Sequence, residues 1–526
     1  MSFRLSEAIA FCFSILCLSI AKILLSKKNP LPLPPGPKPK PFIGNLKDLP
    51  LPGQPAWTHW TKHKDLYGPI SSVTAFGKTL VILNDSSIAF ELLDKRSAIF
   101  SSRPRMIFGG ELVGLGNILA VQAYSERFRA SQKSILAEIG SKSSVARFNG
   151  LQEVEVGRFL VHVLKEPGAV LQHIRTMAGA IILKVSYGYA IDHHDQDPLV
   201  DLAEELLDIF VRTVESGTWI VDILPFLRHI PAWVPGMTFK RTAARWRKTA
   251  LEFAEVPYAF VKQQSAQGTH SPSYTSLRLE KSNLNPEDES TVKWTAASIY
   301  AGGADTTVAA LQCFFLAMTV HPEVQRKAQE EIDTVVGNDR LPNFSDRQNL
   351  PYVDAIVKEV LRWHPIAPLG LPHASTEDDV FEGYFIPKGT LILLNIWWFT
   401  HDPKTYHDPL MFTPERFIGD EPEMDPHKLM FGFGRRSCPG REFADASIYL
   451  SIAQTLAVFN IDKFVENGKV VEPKVEFTPG MISHPVDFRP NVKPRNEKAE
   501  ALIHLVEEEY PFTTGDAGVL QSLKTR

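Results

Sequence analysis

Phe-Gly-Phe-Gly-Arg-Arg-Ser-Cys-Pro-Gly, residues 431–440, is the segment around which the rest of the chain is arranged. It places Cys438 among glycines and arginines, directly before a helix-like run that follows Pro439. A lone thiol forms neither a zinc site nor an intramolecular disulfide, which leaves a nucleophile, an inert core residue or the axial ligand of a haem. Glycines let the backbone pass close to a flat partner, and a helix N-terminus stabilises a thiolate. These neighbours favour the haem ligand, and Arg436 can pair with a haem propionate.

The composition of the 526-residue chain is that of a globular protein, with 44% hydrophobic and 22% charged residues. It allows a sizeable core and argues against global disorder. The formal net charge of −4 argues against nucleic acid as a partner. The four cysteines, Cys12, Cys17, Cys313 and Cys438, make no disulfide framework because two of them lie in an apolar N-terminal run. A reducing, cytosol-facing compartment is therefore predicted.

The N-terminal region has the pattern of a membrane anchor. Residues 8–25 are almost wholly apolar and approach the length of a membrane span, and Lys27-Lys28 follows them. A cleaved signal peptide is the alternative, but no small-x-small cleavage site precedes these lysines, which act as a cytosolic flank. The sequence predicts an uncleaved anchor over residues 1–28, a proline-rich, semi-rigid hinge over 29–41, and a single catalytic domain over 42–526.

The rest of the chain is mostly helical in pattern, which predicts a mainly α fold with a small β-sheet region. Helices are predicted over residues 86–95, 200–215, 245–264 and 295–321. Residues 68–83 alternate around a Gly-Lys turn and predict a hairpin, and short strands are expected near residues 384–394. The polar interval 264–288 predicts a mobile surface loop, and the tail after Pro494 a loosely held extension.

Two motifs carry a family resemblance. Residues 431–440 resemble the haem-binding loop of the cytochromes P450, F-x-x-G-x-R-x-C-x-G, at every fixed position. Gly302-Gly303-Ala304-Asp305-Thr306-Thr307 resembles that family's oxygen-activation segment, [AG]-G-x-[DE]-T-[TS]. Paired glycines inside a helix cost about 1 kcal/mol each, which points to a ligand close to the backbone. The plainer alternatives are a buried structural cysteine and a glycine-rich helix contact with Asp305 and Thr306 facing solvent.

A third resemblance concerns structure rather than chemistry. Glu359-x-x-Arg362, followed by Pro414-Glu415-Arg416-Phe417, resembles the family's buried Glu-Arg-Arg triad. The spacing places Glu359 and Arg362 on one helical face. The resemblance implies that Glu359, Arg362 and Arg416 hold the core that supports the haem loop.

One helix departs from the family pattern. The family's C-helix usually reads W-x-x-x-R, with both side chains reaching a propionate, whereas this chain has Phe128 and Gln132 at those positions. The departure puts the propionate contacts of this helix in doubt and shifts the anchoring to Arg436. His373 occupies a family position that often meets a propionate, although as an isolated histidine it is equally a surface residue.

The resemblance covers nearly the whole chain and implies a cytochrome P450 fold with an N-terminal transmembrane helix. It implies haem b, iron protoporphyrin IX, with Cys438 as the iron ligand and four further cofactor-binding residues: Arg436, Phe431, Gly432 and His373. It also implies that Thr306 hydrogen-bonds to dioxygen or an attendant water, and that Asp305 links these protons to solvent. The oxygen chemistry needs such a donor chain in a mostly apolar cavity.

The sequence as a whole is similar to those of fungal P450s related to the O-methylsterigmatocystin oxidoreductase group. Members of that group oxidise polyketides, terpenoids and indole alkaloids. The resemblance implies a monooxygenase of the endoplasmic reticulum membrane, single-pass, with its catalytic domain facing the cytosol. NADPH-cytochrome P450 reductase would supply the electrons, because no G-x-G-x-x-G follows a strand in this chain. A hydrophobic substrate is expected from the apolar side chains of the family's contact segments: Ile107, Phe108, Leu112, Leu115, Ile366, Leu369, Met481 and Ile482.

Two other functions remain as alternatives. One is a haem-thiolate isomerase or dehydratase that acts without a reductase. The other is a non-catalytic haem-binding protein. The intact Asp305-Thr306 pair argues against both.

Overall fold

The computed structural model describes residues 30–51, 53–192, 197–214, 218–280 and 284–524. Helices dominate this part of the chain, and the strands form small sheets. The predicted mainly α fold with a small β region is confirmed. The predicted membrane anchor, residues 1–28, lies outside the described residues.

The regular elements are numbered here in chain order. The α-helices are Ala56–Tyr67 (α1), Ser86–Ala89 (α2), Ser97–Phe100 (α3), Glu126–Ile139 (α4), Lys142–Ala146 (α5), Asn149–Lys165 (α6), Val170–Tyr187 (α7), Pro198–Val214 (α8), Ile220–Ile223 (α9), Phe239–Gln267 (α10), Tyr274–Leu279 (α11), Pro286–Val320 (α12), Pro322–Val335 (α13), Pro351–Trp363 (α14), Ile396–His401 (α15), His427–Met430 (α16), Arg441–Val458 (α17), Glu497–Glu509 (α18) and Ala517–Lys524 (α19). The strands are Ile70–Ala75 (β1), Lys78–Leu83 (β2), His373–Ala374 (β3), Asp379–Phe381 (β4), Tyr384–Ile386 (β5), Leu391–Leu394 (β6), Phe459–Lys463 (β7), Val465–Glu466 (β8), Lys469–Val470 (β9) and Pro490–Pro494 (β10). Two π-helical turns, Phe90–Lys95 and Ile107–Leu112, and two 3-10 turns, Pro414–Phe417 and Gly434–Arg436, matter for the site.

The longest helix, α12, runs through the core and packs against α7 and α17. The side-chain oxygen of Asn285 caps its start by accepting hydrogen bonds from the N–H groups of Glu287 and Asp288, and Pro286 occupies the first turn. The helix therefore begins before residue 295, where the apolar pattern first indicated it. Its length and apolar composition suit a membrane span, but 72% of its most apolar window is buried inside the protein. It is a core helix.

The main sheet has the strand order β1-β2-β6-β3. β1 and β2 form the predicted hairpin, but Ala75 lies opposite Lys78, so the turn is Phe76-Gly77 and not the predicted Gly-Lys pair. Both residues of its turn have positive φ, 48° at Phe76 and 76° at Gly77, as a two-residue type I′ turn requires. β2 pairs in parallel with β6, so this sheet joins the N-terminal part of the chain to the region after α14.

Residues 32–36 of the proline-rich segment form no helix and are bound to strands of two different sheets, β1 and β5. The N–H of Ser72 donates to the carbonyl of Pro35 at 2.7 Å, and the N–H of Phe385 donates to that of Pro32 at 2.7 Å. A Cβ on Gly36 would lie 1.9 Å from the Ser72 carbonyl oxygen, so this contact requires glycine. Residues 32–36 belong to the folded unit, and the hinge boundary at residue 41 stays a prediction.

The interval 264–288 is not a loop throughout, which corrects the prediction. It contains α11, whose N-terminus is closed by reciprocal hydrogen bonds between Ser273 and Ser276. The hydroxyl of Thr275 donates to the carbonyl of Ser186 at 2.7 Å, and both residues are buried. The polar residues that indicated a loop are the capping and docking groups of a short buried helix.

The chain after Pro494 is not loosely held either. α18 packs against α6, where a Cβ on Gly157 would lie only 2.7 Å from the Val506 side chain. Farther on, the backbone N–H of Asp516 donates to the carbonyl of Ala190, and its carboxylate accepts from the Ala190 N–H, both at 2.8 Å. Close packing and these reciprocal bonds hold the C-terminal segment to the domain.

The expected Glu-Arg-Arg triad is a buried network. Arg362 donates to the Glu359 carboxylate at 2.7 and 2.8 Å, and Arg416 donates to it at 3.2 Å. The backbone N–H of Thr413 adds a fourth bond at 2.7 Å. Arg362 also donates to three backbone carbonyls. The network ties α14 to the 3-10 turn 414–417, from which the chain continues to residues 431–440.

Candidate active site

The cysteine loop, residues 431–440, folds back on itself. The N–H of Cys438 donates to the carbonyl of Phe431 at 2.7 Å, which closes the loop. Gly432 has φ of 74°, a left-handed conformation that favours glycine. The Phe431 ring stacks on His427, with centroids 5.6 Å apart. Phe431 and Gly432, both predicted as cofactor-binding residues, thus shape the loop that presents the cysteine.

Gly434 fixes the loop against the preceding π-helical turn. Its φ is 52°, and a Cβ at this position would lie 2.1 Å from the carbonyl oxygen of Leu93. Next to it, the buried Phe433 ring packs edge to face against Phe90, with centroids 5.1 Å apart. Any larger residue at position 434 would push the loop away from its support.

Cys438 is surrounded by protein atoms, yet part of its surface remains exposed. Burial raises the pKa of its thiol, while the N–H of Gly440 and the charge of Arg441, at the start of α17, act in the opposite direction. By contrast, Cys313 is enclosed in the apolar core, where burial raises the pKa of its thiol strongly. Of these two cysteines, Cys438 is the one that can ligate a metal, because a helix N-terminus and an open side face its sulfur.

A cluster of basic side chains lies beside the loop. Arg436 donates to the carbonyls of Ser101 and Gln122 at 2.6 and 2.7 Å, and its buried Nη1 has no hydrogen-bond partner. Arg103 donates to three backbone carbonyls, including that of Ala120 at 2.9 Å. Burial lowers the pKa of Arg436 to about 10 and that of Arg103 to about 9. Among the described residues, no carboxylate pairs with either guanidinium.

His373 completes this cluster and is buried, so the surface alternative is wrong. Its Nδ1 lies 2.8 Å from the carbonyl oxygen of Phe100. Burial and the charges of Arg103 and Arg436 lower its pKa well below the usual range. The buried Arg436 and the half-buried Arg103 are charged and lack a counter-charge, which is unfavourable unless an anion joins them, whereas the lowered pKa keeps His373 neutral. The propionates of a haem fit this requirement.

Helix α4 contacts the loop through the two residues that depart from the family pattern. The Phe128 ring lies under the Arg436 guanidinium, 3.8 Å from ring centroid to Cζ, which is cation–π geometry. The Gln132 amide donates to the carbonyl of Arg435 at 3.1 Å. In the same helix, the buried Nη2 of Arg127 has no hydrogen-bond partner. Phe128 and Gln132 therefore hold the loop arginines instead of reaching an anion through their own charge.

The oxygen-activation motif lies in the middle of α12. The Thr306 hydroxyl donates to the carbonyl of Gly302 at 2.7 Å, one turn earlier. Gly302 is exposed, and a Cβ there would meet nothing within 4 Å, whereas a Cβ on Gly303 would lie 2.6 Å from Ile182 of α7. One glycine thus allows close helix packing, and the other leaves the helix surface open to a ligand.

Hydrogen bonds connect α12 to the basic cluster. The Ser298 hydroxyl oxygen accepts from the N–H of Leu119 at 2.9 Å, and the next residue, Ala120, provides a carbonyl for Arg103. The segment between α3 and α4 therefore bridges the oxygen-activation helix and the arginines beside the cysteine loop.

The predicted apolar contact residues fall into two groups. Ile107, Phe108 and Leu115 are buried, whereas Leu112, Ile366, Leu369, Met481 and Ile482 are half-buried. The Phe108 ring stacks on Trp219 with centroids 3.5 Å apart. The carboxylate of Asp222 accepts from the N–H groups of Ile107 and Phe108 at 2.5 and 3.0 Å. Asp222 thus latches this π-helical turn to the segment after α8.

Sequence reasoning missed Arg103, Arg127 and His484. The His484 ring contacts Asp305 at 3.1 Å. Arg103 directly precedes Pro104, and nothing in its local pattern separates it from a surface arginine. Only contacts between distant parts of the chain bring these residues to the site.

Comparison with known proteins agrees with this geometry. A family model described as cytochrome P450 matches residues 34–489. The cytochrome P450 monooxygenase claR of Ampulloclitocybe clavipes is 49% identical over 498 residues, which cover 94% of this chain and 92% of that protein. The O-methylsterigmatocystin oxidoreductase of Aspergillus flavus is 41% identical over 503 residues, covering 95% and 94%. The chain therefore belongs to the cytochrome P450 family, and it is an oxidoreductase of the monooxygenase class.

Proposed function

We propose that the chain is a haem-thiolate monooxygenase that hydroxylates or otherwise oxidises a hydrophobic small molecule of fungal secondary metabolism. The observation that carries this proposal is the arrangement around Cys438. An accessible sulfur lies before a helix N-terminus, beside the buried Arg436 and the half-buried Arg103, neither of which has a counter-charge. A flat, dianionic cofactor with an iron centre satisfies both features.

The residues that would hold the cofactor follow from this arrangement. We assign Cys438 as the ligand of the iron in haem b. Arg436 and Arg103 would bind the propionates by donating N–H groups, for which Arg436 offers its partnerless Nη1, and His373 would join them through Nε2 when the negative charge of a propionate protonates its ring. When bound, the haem supplies the binding and reductive activation of oxygen. Phe431 and Gly432 set the position of the sulfur by closing the cysteine loop.

The motif in α12 would deliver protons to the site. The Thr306 hydroxyl, held by the Gly302 carbonyl, is placed to orient a water on the open surface of the helix. Asp305 has 13% of its side chain exposed, so it can exchange protons with solvent. We propose that Asp305 passes protons toward Thr306 and that the neighbouring apolar side chains exclude other water.

The substrate class rests on the lining and on the relatives. The half-buried contact residues are apolar, and the buried Phe108 of the same set stacks on Trp219. A related protein in Aspergillus flavus is named an O-methylsterigmatocystin oxidoreductase. An apolar, polycyclic secondary metabolite, such as a polyketide, terpenoid or indole alkaloid, suits such a lining.

The partners and location are further parts of the proposal. Electrons come from NADPH-cytochrome P450 reductase, because no G-x-G-x-x-G motif for a nicotinamide cofactor follows a strand in this sequence. The apolar N-terminal run of residues 8–25 anchors the chain in the endoplasmic reticulum membrane, with residues 42–526 facing the cytosol. Highly exposed aromatic side chains, Phe42, Phe226 and Trp233, support contact with lipid.

The test is expression of the full chain with the reductase in a fungal or yeast host, followed by feeding of candidate metabolites. Oxygenated products that require NADPH and the reductase are expected. In vitro, Thr306→Ala should release more hydrogen peroxide per NADPH, because oxygen use becomes uncoupled from product. Conversion of a hydroperoxide without reductase would instead indicate the isomerase or dehydratase. Equal coupling in wild type and Thr306→Ala would contradict the role of Thr306.

A further inference from the structure

A histidine far from the sequence motifs contacts the acidic residue of the oxygen-activation helix. The Nε2 atom of His484 lies 3.1 Å from Asp305 Oδ2, and its Nδ1 lies 2.9 Å from Gln312 Oε1. Asp305 and Gln312 are seven residues apart in α12, so they share one helical face about 10 Å apart along the axis. One imidazole ring bridges these two turns.

The turn that carries His484 is held firmly in place. The N–H of His484 donates to the Thr478 hydroxyl at 3.0 Å, and the Thr478 N–H donates to the His484 carbonyl at 2.8 Å. The Ser483 hydroxyl donates to the Thr478 carbonyl and contacts Nε2 of the buried His364 at 2.7 Å. The Ser483 N–H donates to the carbonyl of Ile366 at 2.9 Å. This network fixes the imidazole against α12.

The hydrogen-bond partners of the His484 ring determine which of its nitrogens carry hydrogen. The Gln312 amide oxygen is only an acceptor, so Nδ1 of His484 must carry a hydrogen. A neutral ring of that tautomer presents a bare Nε2 to a carboxylate oxygen of Asp305, and two acceptors repel each other. The 3.1 Å contact therefore requires one proton between Nε2 and Oδ2, either on the imidazolium or on the carboxylic acid.

The pair is accessible to water and has one further charged neighbour. Asp305 and His484 have 13% and 17% of their side chains exposed. Arg175 of α7 lies 3.6 Å from Asp305 Oδ1, beyond hydrogen-bond distance. His364 is the other titratable group near the ring, and burial keeps its pKa well below the usual range. Within the described chain, Asp305 is the carboxylate that faces His484.

We propose that Asp305 and His484 form one proton-holding pair, that Gln312 fixes its tautomer, and that His484 is a positioning residue that loads Asp305 with protons. The inference rests on the proposed role of Asp305 and Thr306. In the transfer, the Nε2–H bond breaks, an Oδ2–H bond forms and the electron pair stays on Nε2. Solvent water then returns a proton to Nε2, so no oxidation state changes.

The onward path to Thr306 follows from helix geometry. Adjacent side chains on an α-helix diverge by about 100°, so Asp305 and Thr306 do not face the same way. The proton therefore travels through an intervening water or after rotation of the carboxylate. In the structure, His484 lies at Oδ2 of that carboxylate and Arg175 lies near Oδ1.

The first test reads the imidazole itself. Full-length protein with bound haem and carbon monoxide, labelled with ¹⁵N at histidine, is examined by NMR. We expect a slowly exchanging Nδ1–H signal that is absent from His484→Gln and exchanges fast in Gln312→Leu, which keeps the histidine. A wild-type His484 ring with a bare Nδ1, or a signal that Gln312→Leu leaves unchanged, would overturn the proposal.

The second test measures proton supply without any substrate. Pre-reduced protein and reductase are mixed with oxygen, and the rate of haem reoxidation is followed in H₂O and D₂O. His484→Gln should slow this step about a hundredfold, at the lower end of general acid effects, and increase the solvent isotope effect. His270→Gln is the matched control, because His270 makes the same 3.1 Å contact to Glu280 away from α12.

The outcomes separate the inference from the function on which it rests. A His484→Gln variant that behaves like His270→Gln would overturn the role of His484 and leave that of Thr306 intact. If Asp305→Asn and Thr306→Ala also behaved like the control, the proposed proton path itself would fail. Slow reoxidation in both His484→Gln and Asp305→Asn, without further loss in the double variant, is the expected result.

Discussion

Replacing Glu359 by glutamine tests how strongly the buried triad supports the domain. The fully buried carboxylate accepts two bonds from Arg362, one from Arg416 and one from the Thr413 N–H. Glutamine keeps the shape and one acceptor oxygen but removes the charge. Arg416 keeps its 2.8 Å bond to Glu423, whereas Arg362 loses its carboxylate partner among the described residues. Leaving one buried charge unpaired costs about 3–5 kcal/mol, which is the expected loss.

The assay is urea unfolding followed by far-UV circular dichroism and haem absorbance, at equal haem loading. The matched control is Glu415→Gln, one residue before Arg416, since Glu415 pairs with Lys327 at the surface. Such an exposed pair contributes only about 0–1 kcal/mol, so the control should unfold almost as the wild type does. Equal unfolding midpoints for the Glu359 and Glu415 variants would contradict the claim that the Glu359 carboxylate stabilises the buried charge of Arg362.

Three further predictions concern the cysteine loop, the pH dependence of stability and the π-helical turn Ile107–Leu112. Gly434→Ala should lower haem content per protein, measured by absorbance, because its Cβ would lie 2.1 Å from the Leu93 carbonyl oxygen. Although burial opposes it, hydrogen bonds to Asp425 and Asp445 raise the pKa of His427 to about 9. Protonated His427 therefore stabilises the folded state, fully below its unfolded-state pKa of about 6.5 and no longer once the pH has risen through 9. The unfolding temperature should consequently fall between pH 7 and 10, but less in His427→Gln. Asp222→Ala removes two hydrogen bonds to the π-helical turn, which should loosen that turn. Binding and release of an azole inhibitor, measured by stopped flow, should then both become about tenfold faster. Unchanged rates would show that Asp222 does not restrain this turn.

Much of the site could be predicted from sequence because its chemistry imposes local patterns. Gly432 and Gly434 adopt left-handed backbone conformations that glycine favours, so the loop is recognisable without its surroundings. Gly302 and Gly303 likewise stand out in α12, one open to a ligand and one packed on Ile182. The helical and strand patterns followed from hydrophobic periodicity in the same way.

Other parts depend on contacts that no local pattern records. Arg103 is positioned by its hydrogen bond to the carbonyl of Leu371, 268 residues away, and His484 is positioned by its contact with Asp305, 179 residues away. The buried helix after Ser273 looked like a loop because its serines cap and dock the chain instead of facing solvent. Polar residues that satisfy each other inside a fold cannot be separated from surface residues by composition alone.

The carbon monoxide difference spectrum of the reduced protein reports whether the Cys438 thiolate ligates the haem iron. The wild type and Cys313→Ala, which alters the enclosed core cysteine, should both show the absorbance band of a thiolate-ligated haem. Cys438→Ser should lose that band while it retains some haem, because a hydroxyl replaces the sulfur. A spectrum of Cys438→Ser that is identical to the wild type would contradict the assignment of the ligand.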